Sequence, residues 1–188
     1  MLTNRRDFLV SLDIETTGLL DEEGSTILEI GAHLVDFATL RQAGQFHRVV
    51  HHKRDPAKPC SYFVTEMHKK NGLWADCEKS VVSLHEALVD FRSWSDPLEG
   101  CTLLGRNVGT FDRIFMERFL PRCTSGYDHR HLDLSSIGLL KRHSKLFEAG
   151  WAAEIEKLRA PGAPEVEHRA LPDAWLAVMD LRALLEII

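Results

Sequence analysis

The chain has 188 residues, 44% of them hydrophobic and 27% charged, with 23 basic against 28 acidic side chains for a formal net charge of -5 with its ten histidines neutral. That balance excludes a disordered or fibrous chain, and the length favours one domain over residues 1–188 that buries roughly 70% of its unfolded surface. It also excludes a protein that grips long duplexes by broad phosphate neutralisation, so a nucleic-acid role requires a local site.

The first predicted element is a strand over Phe8 to Glu15, where Phe8, Val10, Leu12 and Ile14 alternate with Leu9, Ser11, Asp13 and Glu15. A turn-like stretch from Thr16 to Gly24 leads to Ile27 to Phe37 and then Gln45 to His51, two further strands joined through Ala38 to Gly44 as a hairpin, so that three strands form a meander. After Pro56 and Pro59 the period changes: Phe63 and Met67 predict a short helix that Gly72 stops. Ser83 with Glu86 forms a capping-box pattern ahead of the helical stripe Leu84, Leu88, Phe91 and Trp94. Thr102 to Leu104 reads as a short buried strand, and Phe111, Ile114, Phe115 and Phe119 as a helix stopped by Pro121. His131 to Leu134 predicts a strand, Ile137 to Leu140 a helix, and Arg159 to Glu167 a mobile, linker-like loop. The last helix runs from about Pro172 to Ile188, with Trp175, Val178, Leu181 and Leu185 on its core-facing stripe. Strands first and helices interleaved later predict an α/β sheet of mixed direction.

Cys60, Cys77, Cys101 and Cys123 are scattered without a CxxC, which predicts buried free thiols and no zinc ribbon. The apolar run Phe8 to Leu12 is too short for a signal-peptide core, and no stretch approaches the roughly 20 apolar residues of a membrane helix, so a soluble, cytoplasmic protein is expected.

Asp13 and Glu15, two apart on one strand, project from the same face. Two carboxylates at the end of a core strand repel each other and call for cations, unless the strand end is solvated and the pair is a surface feature. Asp112 and Asp173 each stand at a predicted helix start, where capping and dipole compensation would equally explain them. His168 lies in the loop before the last helix; a lone loop histidine is more often an ordinary surface residue.

Taken together, these segments carry a resemblance. Ser11-Leu12-Asp13-Ile14-Glu15-Thr16-Thr17-Gly18-Leu19, then Asn107-Val108-Gly109-Thr110-Phe111-Asp112, then His168-Arg169-Ala170-Leu171-Pro172-Asp173-Ala174 resemble, in order, the three motifs of the DEDDh 3′–5′ exonuclease family, DnaQ-like members of the ribonuclease H-like superfamily. The likeness is greatest to the oligoribonuclease branch, since Met67 to Leu73, Ser83 to Ala87, Asp112 to Met116 and His129 to Ser135 also look like its segments. The resemblance implies a ribonuclease H-like fold, a mixed five-stranded sheet flanked by helices. It implies hydrolysis of short oligoribonucleotides to 5′-mononucleotides, with Asp13, Glu15, Asp112 and Asp173 as ligands of two Mg²⁺ or Mn²⁺ ions and His168 as general base. An imidazole suits that role because its ordinary pKa is about 6.5. Around the substrate the resemblance places Thr16, Thr17, Leu19, His68, Asn107, His129, Arg130 and Ser135: Leu19 as a wedge between two bases, Arg130 and Ser135 capping the 5′ phosphate, His68 and His129 as rings near the bases. It further implies a homodimer.

The departures from the oligoribonuclease pattern are Val108 in place of a serine, Arg106 inserted after Gly105, Pro172 in place of an acidic residue, and Phe111, which is closer to the wider family. They keep open a DnaQ-like enzyme that trims or proofreads single-stranded DNA or longer RNA. Charge favours a short ligand. Residues 113 to 145 carry seven basic and three acidic side chains, a net of +4, which leaves the rest of the chain at -9.

Overall fold

Residues 7–54, 60–143, 149–150, 153 and 167–186 are described by a computed structural model. Alternation along β1 (Phe8–Thr16) organises everything around it. Val10, Leu12 and Ile14 face a core completed by Ala87, Leu88 and Phe91 of α3 (Leu84–Ser95) and by Phe115 and Met116 of α4 (Asp112–Phe119). Leu9, pointing the other way, joins Val35, Leu104 and the stripe Ala177, Val178 and Leu181 of α6 (Ala170–Leu185). The strand is therefore covered by helices on both faces.

β2 (Ile27–Asp36) pairs antiparallel with β1, and β3 (Gln42–Val49) antiparallel with β2, so the expected meander forms. β4 (Thr102–Gly105) adds in parallel on the other side of β1, and β5 (His131–Asp133) in parallel on β4. The sheet is five-stranded and mixed, in the order β3-β2-β1-β4-β5, with helices on both faces as the resemblance implied. The short β4 lies between β1 and β5 with Leu103 and Leu104 fully buried, as its apolar pair predicted, and α5 (Leu134–His143) follows β5 directly.

The Ser83–Glu86 capping box is present, with the serine side chain on the Glu86 N–H and the glutamate on the Ser83 N–H. Elsewhere the boundaries move. β3 begins at Gln42, shortening the hairpin connection. Gly72 stops α1 (Tyr62–Lys70) as expected, at a left-handed φ of 79°, but a second helix, α2 (Leu73–Lys79), starts directly after it, which the periodicity did not indicate. α2 has only two buried residues, Leu73 and Cys77, too few to write a period. α6 starts two residues before Pro172, which sits in the first turn, where a missing N–H costs no helical hydrogen bond. All four cysteines are free, three buried and Cys60 half-buried. Residues 159–166 of the expected loop, together with Lys145 and Ile188, lie outside the described residues.

Candidate active site

The site forms where β1 and β4 part. Their parallel pairing covers only Leu9 to Ser11 on β1, and β4 ends at Gly105, where an added Cβ would stand 2.7 Å from the Leu12 carbonyl oxygen. Just beyond, the Ile14 N–H donates to Asp112 Oδ1 at 2.9 Å. That bond brings Asp112, the first residue of α4 and only 2% exposed, against the end of β1 that carries Asp13 and Glu15.

α6 supplies the rest. Its first turn holds Asp173, and the Ser11 hydroxyl fastens the helix to β1 through the Ala174 carbonyl at 2.6 Å. His168 precedes the helix with a left-handed φ of 51°. Ligand atoms of Glu15, His168 and Asp173 all lie within 4.8 Å of one another, and the histidine lines a hollow of about 360 Å³ with Met67, Lys70, Asn71, Glu167 and Arg169.

The electrostatics are those of an over-concentrated negative charge. Burial, and after it Asp112, Glu15 and Asp173, raises Asp13 well above the carboxylate range. Burial with Asp173, Glu29 and Asp112 pushes Glu15 up to about 8. Asp112 is likewise pushed to about 8, chiefly by burial, and burial raises Asp173. Four carboxylates from three elements thus meet where none retains its charge easily. A divalent cation relieves that repulsion, and an all-oxygen donor set suits a hard ion better than zinc. The residues present fit such a group.

The other expected residues divide. Leu19 projects into solvent at 58% exposure, with its N–H on Glu22 Oε2. Thr16 and Thr17 use their hydroxyls internally, on the Gly18 carbonyl and the Thr26 N–H, and brace the turn. Asn107 is exposed at a left-handed φ of 58°, its N–H on Asp133 Oδ1, the same oxygen that caps Ser135. His129 and Arg130 are exposed beside Asp128. His68, unlike the exposed residues of this set, is fully buried, its Nε2 bonded to the Thr16 carbonyl at 3.1 Å and 3.8 Å from Glu15 Oε2, so its ring packs behind the end of β1.

Sequence reading missed the residues behind the histidine loop. Glu29, on β2 and fully buried, accepts from Arg169, from the Ala170 N–H and from His47. The available signal was a charged residue inside the apolar run Ile27-Leu28-Glu29-Ile30, which a buried strand tolerates only with a partner.

The family model described as an exonuclease matches residues 10–179. Curated relatives include an oligoribonuclease of Corynebacterium glutamicum, 32% identical over 182 residues that cover 94% of this chain and 78% of the relative. An oligoribonuclease of Pseudoalteromonas translucida is 27% identical, with 95% and 93% covered. Among solved structures, the nuclease domain of 3′hExo, a DEDDh family member bound to rAMP, aligns with a TM-score of 0.58 at 19% identity, covering 96% of this chain and 93% of that one. Pop2p of S. pombe in its Mg²⁺- and Mn²⁺-bound form gives 0.68 at 13% identity over 95% and 82%. These structures share the fold. None of the described helices is long and apolar enough to cross a membrane.

Proposed function

The chain belongs to the exonuclease family, and from that premise we propose that this 3′–5′ exoribonuclease is a single exonuclease domain that hydrolyses short oligoribonucleotides to 5′-mononucleotides in the cytoplasm. The observation that carries the reading is the convergence of Asp13, Glu15, Asp112 and Asp173, all held above their ordinary pKa range, beside an exposed His168. Asp13, Glu15, Asp112 and Asp173 would hold two divalent ions, Mg²⁺ or Mn²⁺, which when bound supply charge stabilisation at the scissile phosphate and a water of lowered pKa.

The protein's own part is positioning and proton transfer. His168 takes the proton of the attacking water as its oxygen bonds to phosphorus; the bond from phosphorus to the 3′ oxygen breaks and that oxygen acquires a proton from solvent. One 5′-mononucleotide leaves, and the shortened RNA keeps a free 3′ hydroxyl. Leu19, exposed beside the end of β1, separates the two terminal bases, Arg130 and Ser135 cap the 5′ phosphate, His129 and His68 lie near the bases, and Asn107 completes the substrate contacts. Thr16 and Thr17 support the Leu19 contact through the turn they brace. Homodimeric assembly follows from the same likeness.

The test is a length series of 5′-labelled RNAs with Mg²⁺ or Mn²⁺, run against DNA of equal length, with scattering to give the mass in solution. Two- to five-nucleotide RNAs should be consumed fastest, and chelation should stop the reaction. Faster trimming of long single-stranded DNA would replace this reading with that of a proofreading enzyme.

A further inference from the structure

The main chain around His168 is held with unusual completeness for an exposed segment. The Glu167 N–H donates to Asp173 Oδ1 at 3.2 Å. The carbonyls of Glu167 and His168 both accept from Asn71 Nδ2, at 3.2 and 2.6 Å. The Ala170 N–H donates to Glu29 Oε2 at 2.8 Å. Between them, Arg169 spreads its guanidinium inward: Nε reaches both Glu29 oxygens at 3.1 Å, Nη2 reaches Oε1 at 2.8 Å, and Nη1 reaches Asp76 at 2.9 Å and the Asn71 carbonyl at 3.4 Å.

β2 is shaped to receive this segment. Three residues on one of its faces meet the start of α6 in succession. Glu29 takes Arg169 and the Ala170 N–H; Gly31 lets the helix approach until an added Cβ would stand 2.3 Å from the Ala170 carbonyl carbon and the Leu171 nitrogen; His33 Nε2 lies 3.0 Å from the Leu171 carbonyl. A side chain at position 31 would lift the helix off the sheet, and His168 with it.

Two features separate this arrangement from ordinary packing. Every nitrogen of the Arg169 guanidinium is engaged inside the protein, so the group is not a free cation for the substrate phosphate, although it lies beside the site. And Asn71 bonds to an exposed loop, where hydrogen bonds add little to stability. What these contacts do fix is a left-handed backbone at His168, a conformation a histidine adopts at a cost and keeps when its surroundings over-determine it.

We propose that Asn71, Arg169 and Glu29 are positioning residues that hold the His168 backbone so that its ring meets the attacking water, with Asn71 acting through the histidine alone. The inference rests on the reading of His168 as the general base. The clamp fixes the base before substrate arrives, and proton abstraction then proceeds without an ordering step.

The experiment measures kcat and KM on a short 5′-labelled RNA at saturating Mg²⁺ for Asn71→Ala, Arg169→Lys, His168→Ala and the double variant His168→Ala with Asn71→Ala. Asn71→Ala and Arg169→Lys should each lower kcat about tenfold while KM stays within about twofold. In the His168→Ala background, Asn71→Ala should change kcat by less than about twofold, because the group it positions is gone. Asn71 Oδ1 also caps α2 through the Leu73 N–H, so Asn71→Asp, which keeps that acceptor and loses the donors, should reproduce the loss in kcat without loss of the fold. Wild-type kcat in both Asn71 variants, or a tenfold defect that persists without His168, overturns the clamp. Wild-type kcat in His168→Ala overturns the general base itself, and the clamp with it, whatever the Asn71 variants do.

Discussion

Glu15 and Glu29 face each other across β1 and β2 as direct partners in the antiparallel register, both buried, yet one is pushed up to about 8 and the other lowered to about 2. Burial opposes ionisation in both, so it cannot be what separates them. Glu29 is met by hydrogen bonds from His47, Arg169 and the Ala170 N–H, and the protein supplies its countercharge. Glu15 is met by Asp173, Glu29 and Asp112, and its first favourable neighbour, Arg169, is already engaged by Glu29. Two like side chains placed opposite each other would destabilise the pair. The protein neutralises one internally and leaves the other without a countercharge of its own, and under the proposed function that division separates structural from catalytic charge.

The largest effect should come from removing what the ions bind. Asp13→Asn or Glu15→Gln should lower kcat by about 10³-fold or more, read on short RNA at saturating Mg²⁺, while metal-free stability holds or rises because a repelling carboxylate has gone. Glu29→Gln should behave in the opposite way. It breaks a buried pair and should cost about 2 kcal/mol by urea unfolding, below the usual figure for such pairs because Arg169 keeps Asp76. Its kcat should fall only about tenfold, through the displaced His168 loop. Equal kinetic losses in the two variants would erase the distinction.

How much of this was legible in the sequence follows the same line. The strand carrying Asp13 and Glu15, the amphipathic helix behind Asp112 and the stripe of α6 are periodic, and periodicity survives in a single sequence. The four carboxylates that converge were visible through motif order, because three local patterns can be read without knowing how they fold together. Glu29 was not. Its partners are His47 on the neighbouring strand, Arg169, 140 residues away, and the backbone N–H of Ala170 beside it, and none of these proximities leaves a local trace. The burial of His68 was hidden for a related reason: a histidine on α1 reads the same whether its ring faces solvent or closes on the Thr16 carbonyl. α2 went unseen because its helical start depends on the left-handed turn at Gly72 and its packing on two side chains.

The smallest effect, and the one that sets the two glutamates side by side, is the pH dependence of stability without metal. Glu15 and Asp112 have folded values of about 8, above their unfolded values near 4, so their contribution is fully present at low pH and is lost as pH rises toward 8. Glu29 runs the other way: folded at about 2 and unfolded near 4.5, it contributes above the unfolded value and loses that contribution only as pH falls through about 2. Between about pH 5 and pH 8, therefore, Glu29 adds a constant while the carboxylate cluster adds a downward slope. The melting temperature in chelator should fall across that window, by a few degrees beyond the trend of a variant carrying Glu15→Gln, and added Mg²⁺ should recover most at the upper end. Glu29→Gln should lower the whole curve and make its slope shallower, because Glu29 is one of the charges that raise Glu15 and its loss frees Arg169 to face that carboxylate. A metal-free melting curve that is flat from about pH 5 to pH 8 would mean that the four carboxylates are relaxed by solvent before any ion binds.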